Sequence, residues 1–339
     1  MSLLSKEGVS PLGRKLIIQI PCYNEAATLG ITLAALPRSV PGFDKVEWLI
    51  VDDGSEDSTV EVALAHGVDH VVRHTQNLGL ARGFMSGLHA CMRLGADVIV
   101  NTDADNQYNA DDIPRLTAPI LDLKADIVVG ARPIETIEHF SFIKKCLQRL
   151  GSWVVRVASK TDIADAPSGF RAISREAAQR LVVFNGYTYT LETIIQAGQC
   201  NMAIMSVPIR VNGDLRPSRL VKSIPSYIQR SILTIIRVFI IYRPFVFFGT
   251  LGAGVFGIGL LIGVRFLSLY LEGRGSGHVQ SLVLGSLMMS LGFISIITAF
   301  VAELLAVNRR LSEDIRYKLN VLLYGQGVKN NDGADEGGK

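Results

Sequence analysis

Short apolar runs alternating with amphipathic stretches fill the first part of the chain, and two long apolar runs fill the last. Leu16–Ile20 and Glu47–Val51 each end in a polar cluster, Pro21-Cys22-Tyr23-Asn24-Glu25 and Asp52-Asp53-Gly54-Ser55. His70–Arg73, Asp97–Asn101 and Asp126–Gly130 read as further buried strands, while Ala26–Leu36 and Ala81–Leu94 have helical composition and spacing. Strands alternating with helices predict an α/β fold, a Rossmann-like, mostly parallel sheet flanked by helices on both faces. In such sheets ligands bind beyond the carboxyl ends of the strands, which is where the polar clusters fall.

Phe245–Val264 and Val279–Ala302 are 20 and 24 residues long and contain no charged residue. As helices they span roughly 30 and 36 Å, enough to cross a bilayer core of about 30 Å. The short loop Glu272–His278 joins them, so they predict a two-helix transmembrane hairpin, over about 245–270 and 279–305. Between sheet and hairpin, Ser223 can cap a helix with Pro225 in its first turn, and Arg230 and Arg237 share a face. Ile228, Leu233, Ile236 and Ile240 cover much of the rest, which suits an amphipathic helix in the membrane interface; domain packing is the plainer alternative. The expected organisation is a catalytic-type domain over 1–222, a juxtamembrane helix over 223–243, the hairpin over 244–307, and a tail over 308–339. The Gly/Asp/Asn-rich end of that tail, from Asn330, has a disordered composition.

The apolar fraction of 48% is ordinary, so the membrane reading rests on the two runs and not on the average. A net charge of +3 gives no reason to expect nucleic acid, but its distribution is informative. Seven basic residues (Arg210, Arg216, Arg219, Lys222, Arg230, Arg237, Arg243) precede the hairpin against one acid, Asp214, and Arg309, Arg310, Arg316 and Lys318 follow it. The loop offers only Arg274, with Arg265 near the end of the first run. The positive-inside rule then puts both ends of the hairpin in the cytosol. Met1–Arg14 is polar, with a Leu3-Leu4 pair too short for a signal core, so the domain and both termini are expected on the cytosolic side of the cell membrane. Cys22, Cys91, Cys146 and Cys200 are scattered without a CxxC or metal spacing, which fits a reducing compartment.

Asp103-Ala104-Asp105 follows the strand Asp97–Asn101. Two carboxylates separated by one residue at a strand end can point toward one divalent ion, and Mg²⁺ or Mn²⁺ prefers such hard oxygens and also bridges phosphates. Gln107 could add a neutral oxygen. Aspartate is common in loops, and it is the place at the sheet's carboxyl edge that gives the pair weight. In Asp52–Thr59 one Asp can accept hydrogen bonds from a nucleotide's base or ribose, while Asp57, Ser58 or Thr59 can simply cap the next helix. No GxxxxGK[ST] is present and no GxGxxG follows the first strand, which counts against a P-loop NTPase and a dinucleotide-binding domain.

Ile20–Glu25, Val51–Ser55, Asn77-Leu78-Gly79 and Asp103–Gln107 together resemble the successive motifs of family 2 glycosyltransferases of the GT-A fold. Asp165-Ala166-Pro167-Ser168-Gly169-Phe170-Arg171 and Arg216-Pro217-Ser218-Arg219-Leu220 are similar to stretches of the polyprenyl-phosphate sugar transferases, such as dolichol-phosphate mannose synthases and undecaprenyl-phosphate glucosyltransferases. The resemblance runs from about Lys15 to the tail. It implies that Pro21, Tyr23, Glu25 and one of Asp52 and Asp53 line the base and ribose pocket. Asp103, Asp105 and Gln107 would hold Mg²⁺ or Mn²⁺ on the donor's diphosphate. Arg132 and Arg171 would contact phosphate, and Asp165 would lie beside the reacting centre. Arg216 or Arg219 falls where the group places a basic residue on a phosphate, and the group's commoner Gly-x-Ser-Lys pattern leaves the choice open. Arg82 is a further candidate donor contact. The plainer readings are that Arg132 ends a strand and that Arg171 pairs structurally with Asp165.

The resemblance implies an inverting transfer of a hexose from a nucleotide-diphosphate sugar, UDP-glucose-like or GDP-mannose-like, to polyprenyl monophosphate. That acceptor's oxygen is already mostly anionic at neutral pH, so Asp165 is expected to orient an arginine or the acceptor and not to abstract a proton. A nucleotidyltransferase would open with a Gly-rich loop after the first strand. A processive polysaccharide synthase would need more membrane helices and a Gln-x-x-Arg-Trp motif. A non-enzymatic membrane-anchored binding module would not need Asp103, Asp105, Asp165 and Arg171 together. The implied partners are the nucleotide sugar, the lipid phosphate and the membrane, with a second copy of the chain, a flippase or a downstream lipid-sugar-dependent transferase as further candidates.

Overall fold

A computed structural model describes residues 13–133, 161, 163–183, 189–213, 233, 236–237 and 240–325. The described residues form two compact units, one within 1–224 plus 315–339 and the other within 225–314.

The first unit is built on a mixed sheet. Its elements run β1 (Lys15–Cys22), α1 (Ala26–Ala35), β2 (Lys45–Asp52), α2 (Thr59–Ala65), β3 (His70–Arg73), α3 (Leu80–Arg93), β4 (Val98–Asn101), α4 (Ile113–Leu121), β5 (Ile127–Ala131), β6 (Arg171–Ser174), α5 (Arg175–Arg180), α6 (Thr190–Gln199) and β7 (Ile204–Pro208). The seven strands are ordered β3-β2-β1-β4-β6-β5-β7. β3, β2, β1 and β4 are parallel, and β6 runs antiparallel between β4 and β5. The central strands are buried on both faces while the edges β3 and β7 are half-exposed, as expected where helices cover both sides. Leu16, Ile18 and Ile20 share one buried cluster with Leu29 and Leu33 of α1 and with Ile113, Leu116 and Ile120 of α4. On the opposite face α3 approaches closely at Gly83 and Gly87, against Pro21, Gln19 and Val51.

Sequence reasoning foresaw β1 to β5 to within two residues at each end; it did not single out β7, nor did it find β6. Its four residues are too short and polar-ended to stand out, and their burial comes from insertion between two strands that are both far from it in sequence.

The second unit is a helical hairpin of α7 (Pro244–Leu271) and α8 (Val279–Gly325), joined through a 3₁₀ turn at Gly275–His278. Both helices are long and apolar enough to cross a membrane. Glycines let their backbones touch. A Cβ on Gly252 would lie 2.8 Å from the Gly292 carbonyl oxygen, and one on Gly259 would lie 2.8 Å from that of Gly285. Ser295 Oγ adds a 3.1 Å bond to the Phe248 carbonyl.

α8 runs on past the expected end of the hairpin at 307. It is one 47-residue helix, and its final turns belong to the first unit. Asn320, only 7% exposed, donates to the Gln179 carbonyl (2.8 Å). Arg175 donates to the carbonyls of Ala96 and Tyr324 (both 2.9 Å), and Arg180 lies 4.3 Å from the Tyr317 ring centre. The expected helix over Ser223–Ile241 lies mostly outside the described residues; those described, 233, 236–237 and 240–241, are helical.

Candidate active site

The carboxyl ends of β1, β2 and β4 bring the polar clusters together. Asn24 takes a left-handed turn (φ 53°) after β1, its N–H donating to Ser55 Oγ (2.9 Å) while its side chain accepts from Glu56 N (2.9 Å). The first and second clusters are thus laced to each other. Pro21 is half-buried, Tyr23 is exposed, and Glu25 accepts from Thr28 in the first turn of α1 (3.0 Å). Gly54 is required here. Its φ is +75°, and a Cβ would lie 2.6 Å from the Gln76 backbone. The resulting cavity of about 560 Å³ is lined by Tyr23, Gly54, Glu56, Arg73 and Asn77 among others.

The structure separates the two candidate aspartates. Asp53 is committed to the protein, accepting from Leu78 N (2.9 Å) and Gly79 N (2.8 Å) and pairing with His74 Nδ1 (2.7 Å). It organises the Asn77–Gly79 loop. Asp52 is fully buried and accepts from Ser55 N through Oδ1 (3.1 Å), but Oδ2 has no aligned hydrogen bond. The exposed Arg73 side chain lies 3.1 Å from Oδ2, within ion-pair distance. Asp52 is the carboxylate whose second oxygen is held by an ion pair alone.

Past β4, Asp103, Asp105 and Gln107 are all half-buried and close in the chain, with Asn106 (φ 57°) making the turn and Gln107 N donating to Asp105 Oδ1 (3.1 Å). Burial, and after it the charge of Asp105, pushes the Asp103 carboxyl up to about 6, with Arg132 pulling the other way. Beneath them lies a buried polar floor. Gln19 donates to Asn101 Oδ1 (2.9 Å), and Asn101 donates to the Gly169 carbonyl and the Tyr189 hydroxyl (both 2.9 Å).

Asp165 is fully buried and grips Arg132 in a fork, Nε to Oδ2 at 2.7 Å and Nη2 to Oδ1 at 3.1 Å, with the Arg132 N–H adding a third bond. Arg171 corrects the sequence expectation. Its guanidinium is fully buried and bonds to the Ser168 and Ala166 carbonyls (both 2.8 Å) and to Thr193 Oγ1, so it shapes the 165–170 loop and presents no face to a phosphate. Arg132, not Arg171, is the partner of Asp165. Arg216 and Arg219 lie outside the described residues, and Arg82 is exposed on the first turn of α3.

The glycosyl transferase family 2 profile matches residues 17–182. Over 212 residues the chain is 30% identical to the polyprenol monophosphomannose synthase of Mycolicibacterium smegmatis, covering 59% of this chain and 78% of that one. The chain belongs to glycosyl transferase family 2. A second relative of this glycosyltransferase is the undecaprenyl-phosphate mannosyltransferase of Micrococcus luteus, 28% identical over 56% of this chain and 80% of that one. In fold the present chain is similar to glucosyl-3-phosphoglycerate synthase from Mycobacterium tuberculosis, crystallised with Mn²⁺, UDP and phosphoglyceric acid. That likeness has a TM-score of 0.53 at 20% identity over 67% of this chain and 78% of the other.

Sequence reasoning passed over several residues packed around the candidate site. Asp112, fully buried, clamps Arg210 (Nη2 to Oδ1 3.0 Å), and Asn212 donates to the Asn106 carbonyl (2.9 Å), so residues 210–212 are pinned to the Asp103–Gln107 turn. Tyr108 and Tyr189 flank Gly169. None sits in a repeated spacing. The only sequence signal was the short distance of Tyr108 and Asp112 from the paired aspartates.

Proposed function

We propose that this glycosyltransferase moves a hexose from a nucleotide-diphosphate sugar, UDP-glucose-like or GDP-mannose-like, to an undecaprenyl or dolichyl monophosphate, with inversion at the anomeric carbon. The observation that carries the reading is the meeting of Asp103 and Asp105 with an arginine held by Asp165, in a chain whose relatives act on lipid phosphates.

The donor set fits a divalent cation. Two carboxylates and an amide offer hard oxygens at one turn, and burial together with the Asp105 charge raises the Asp103 carboxyl, a load that a cation would relieve. Asp103, Asp105 and Gln107 would hold Mg²⁺ or Mn²⁺, which neutralises charge developing on a leaving diphosphate.

The chain's own groups account for the rest. Asp52, its second oxygen held only by the exposed Arg73, would take the base or ribose contact beside the cavity that Tyr23 and Arg73 line. Arg132, fixed by the fork from Asp165, carries a positive charge toward Asp103 and so toward the phosphates. The acceptor phosphate has a second pKa near about 6 and is mostly dianionic at neutral pH. One of its oxygens forms the bond to the anomeric carbon as the bond to the diphosphate breaks, and the departing nucleoside diphosphate keeps the electron pair. No proton is abstracted, which agrees with Asp165 being occupied by Arg132.

The hairpin would sit in the membrane, with the catalytic domain and both chain ends on the cytosolic side, where the basic residues of 210–243 and 309–318 cluster. Membranes containing the protein, given radiolabelled nucleotide sugars and polyprenyl phosphate, should form a glycosyl lipid. The Asp105→Asn protein should form at least about a hundredfold less, the scale for loss of a charge-stabilising group. Polymer, free sugar or no lipid-bound label would overturn the reading.

A further inference from the structure

Two buried tyrosines outside the recognised motifs face the Asp103 carboxylate. Tyr108 follows the aspartate pair and is 5% exposed; Tyr189 precedes α6 and is 1% exposed. Each phenol oxygen already accepts one hydrogen bond, Tyr108 from the Gly169 N–H (3.0 Å) and Tyr189 from Asn101 Nδ2 (2.9 Å). A hydroxyl that accepts from an N–H still has its own proton to place, and in a buried site that proton needs an acceptor.

Gly169 shows where the acceptor is. A Cβ at this glycine would lie 3.0 Å from the Tyr189 hydroxyl and 3.0 and 3.1 Å from the two Asp103 oxygens. One phenol and the carboxylate therefore converge on a single methyl-sized volume, and the other phenol binds the N–H of the same glycine. Ser168 Oγ, buried and without a partner, is the neutral competitor for the Tyr108 proton; a carboxylate is the stronger acceptor. The rings are fixed as well. Tyr108 stacks on Phe170 with centroids 5.1 Å apart and Tyr189 on Phe84 at 3.9 Å, so only the O–H torsions remain to adjust.

We propose that Tyr108 and Tyr189 are positioning residues that donate their hydroxyl protons to Asp103 and fix the rotation of its carboxylate, so that its outward lone pairs are presented to a divalent cation. The inference rests on the reading of Asp103 as a metal ligand. It gives Gly169 a purpose too, since any side chain there would displace the carboxylate from between the phenols.

The test is Mn²⁺ binding to the purified full-length protein, followed by electron paramagnetic resonance with UDP and separately with GDP. Tyr108→Phe and Tyr189→Phe keep the stacked rings and should each raise the Mn²⁺ Kd about 10- to 100-fold, the range for loss of a group that orients a metal ligand. Nucleotide affinity in EDTA should stay at the wild-type value, and the Tm should fall only by the few degrees that one unpaired buried N–H costs. Gly169→Ala should raise the Mn²⁺ Kd with both phenols intact. A double phenylalanine variant with wild-type Mn²⁺ affinity overturns the inference while leaving the site's function standing. So do variants that lose Tm and metal-free nucleotide binding together, since that marks the tyrosines as structural only. A wild-type protein that binds no Mn²⁺ with either nucleotide overturns the metal reading of Asp103, and the inference with it.

Discussion

Asp165 and Arg132 work as one unit, because each satisfies the other in a place where neither could be left alone. Asp165 is fully buried, and breaking such a pair from one side costs about 3–5 kcal/mol. Asp165→Asn should therefore lower both stability and kcat. Arg132→Lys should not restore the rate, because an ammonium cannot fill the fork. Recovery of the Asp165→Ala rate by added formate or azide would identify a proton abstractor and contradict the orienting role. A second residue prediction concerns Glu47 at the far end of the sheet. Burial alone would raise its carboxyl, yet bonds from Lys15, Lys45 and His70 outweigh this and hold it at about 2, below its usual 4.5. A depressed folded-state pKa stabilises above the unfolded value and loses that contribution as pH falls from about 4.5 toward 2. Glu47→Gln should cost on the order of 2 kcal/mol at pH 6 after allowance for screening, with the difference from wild type shrinking by pH 3 in denaturant titrations. At this scale the sequence was legible where polar residues cluster at strand ends, as at Asp52 and Asp103. It was opaque where a role depends on what folds over the residue. Nothing in the order of letters distinguishes Asp53 from Asp52, or shows that Arg171 is closed off by its own loop.

The last turns of α8 behave as part of the sheet domain. Asn320 and Tyr324 meet Gln179 and Arg175 through main-chain carbonyls, and Tyr324 also stacks beside His89. Arg175 reaches the carbonyl end of the helix, where unsatisfied acceptors and the dipole favour a cation. A chain ending at Asp314 would expose the surfaces of α3 and α5 that these residues cover. Its catalytic domain should melt several degrees lower, about what a loss of 1–2 kcal/mol produces in a domain of this size. Asn320→Ala alone should remove about 1 kcal/mol. An unchanged melting temperature in the truncated protein would show the docking to be incidental. Hydropathy hid this element because Arg309, Arg310 and the mixed charges after them end the apolar run. Helical propensity continues past them, and the helix follows propensity. The same limitation applies to β6, whose antiparallel insertion depends on pairing partners more than forty residues away in sequence.

For the whole molecule, the distribution of charge along the chain makes the most exposed commitment. α7 and α8 pack glycine to glycine as an antiparallel pair, so the chain enters and leaves the hairpin on one side. Seven basic residues lie on the approach and four soon after the apolar run, while the turn region carries Arg274 beside Glu272. Lys and Arg near membrane helices resist translocation, and from this asymmetry we propose that the turn lies on the outer side. The assignment can be checked without any assay of activity. In a protein whose four native cysteines are replaced by serine, a single cysteine at Gly277 should react with a membrane-impermeant maleimide in intact cells. One at Lys329 should react only after the membrane is opened. The reverse pattern would place the catalytic domain outside, away from any cytosolic pool of nucleotide sugar, and would remove the donor from the proposed reaction even with every residue of the site in position. Gly259→Leu should be the matching structural control. A leucine cannot fit against the Gly285 carbonyl, so the helices should separate and the full-length protein should lose membrane yield.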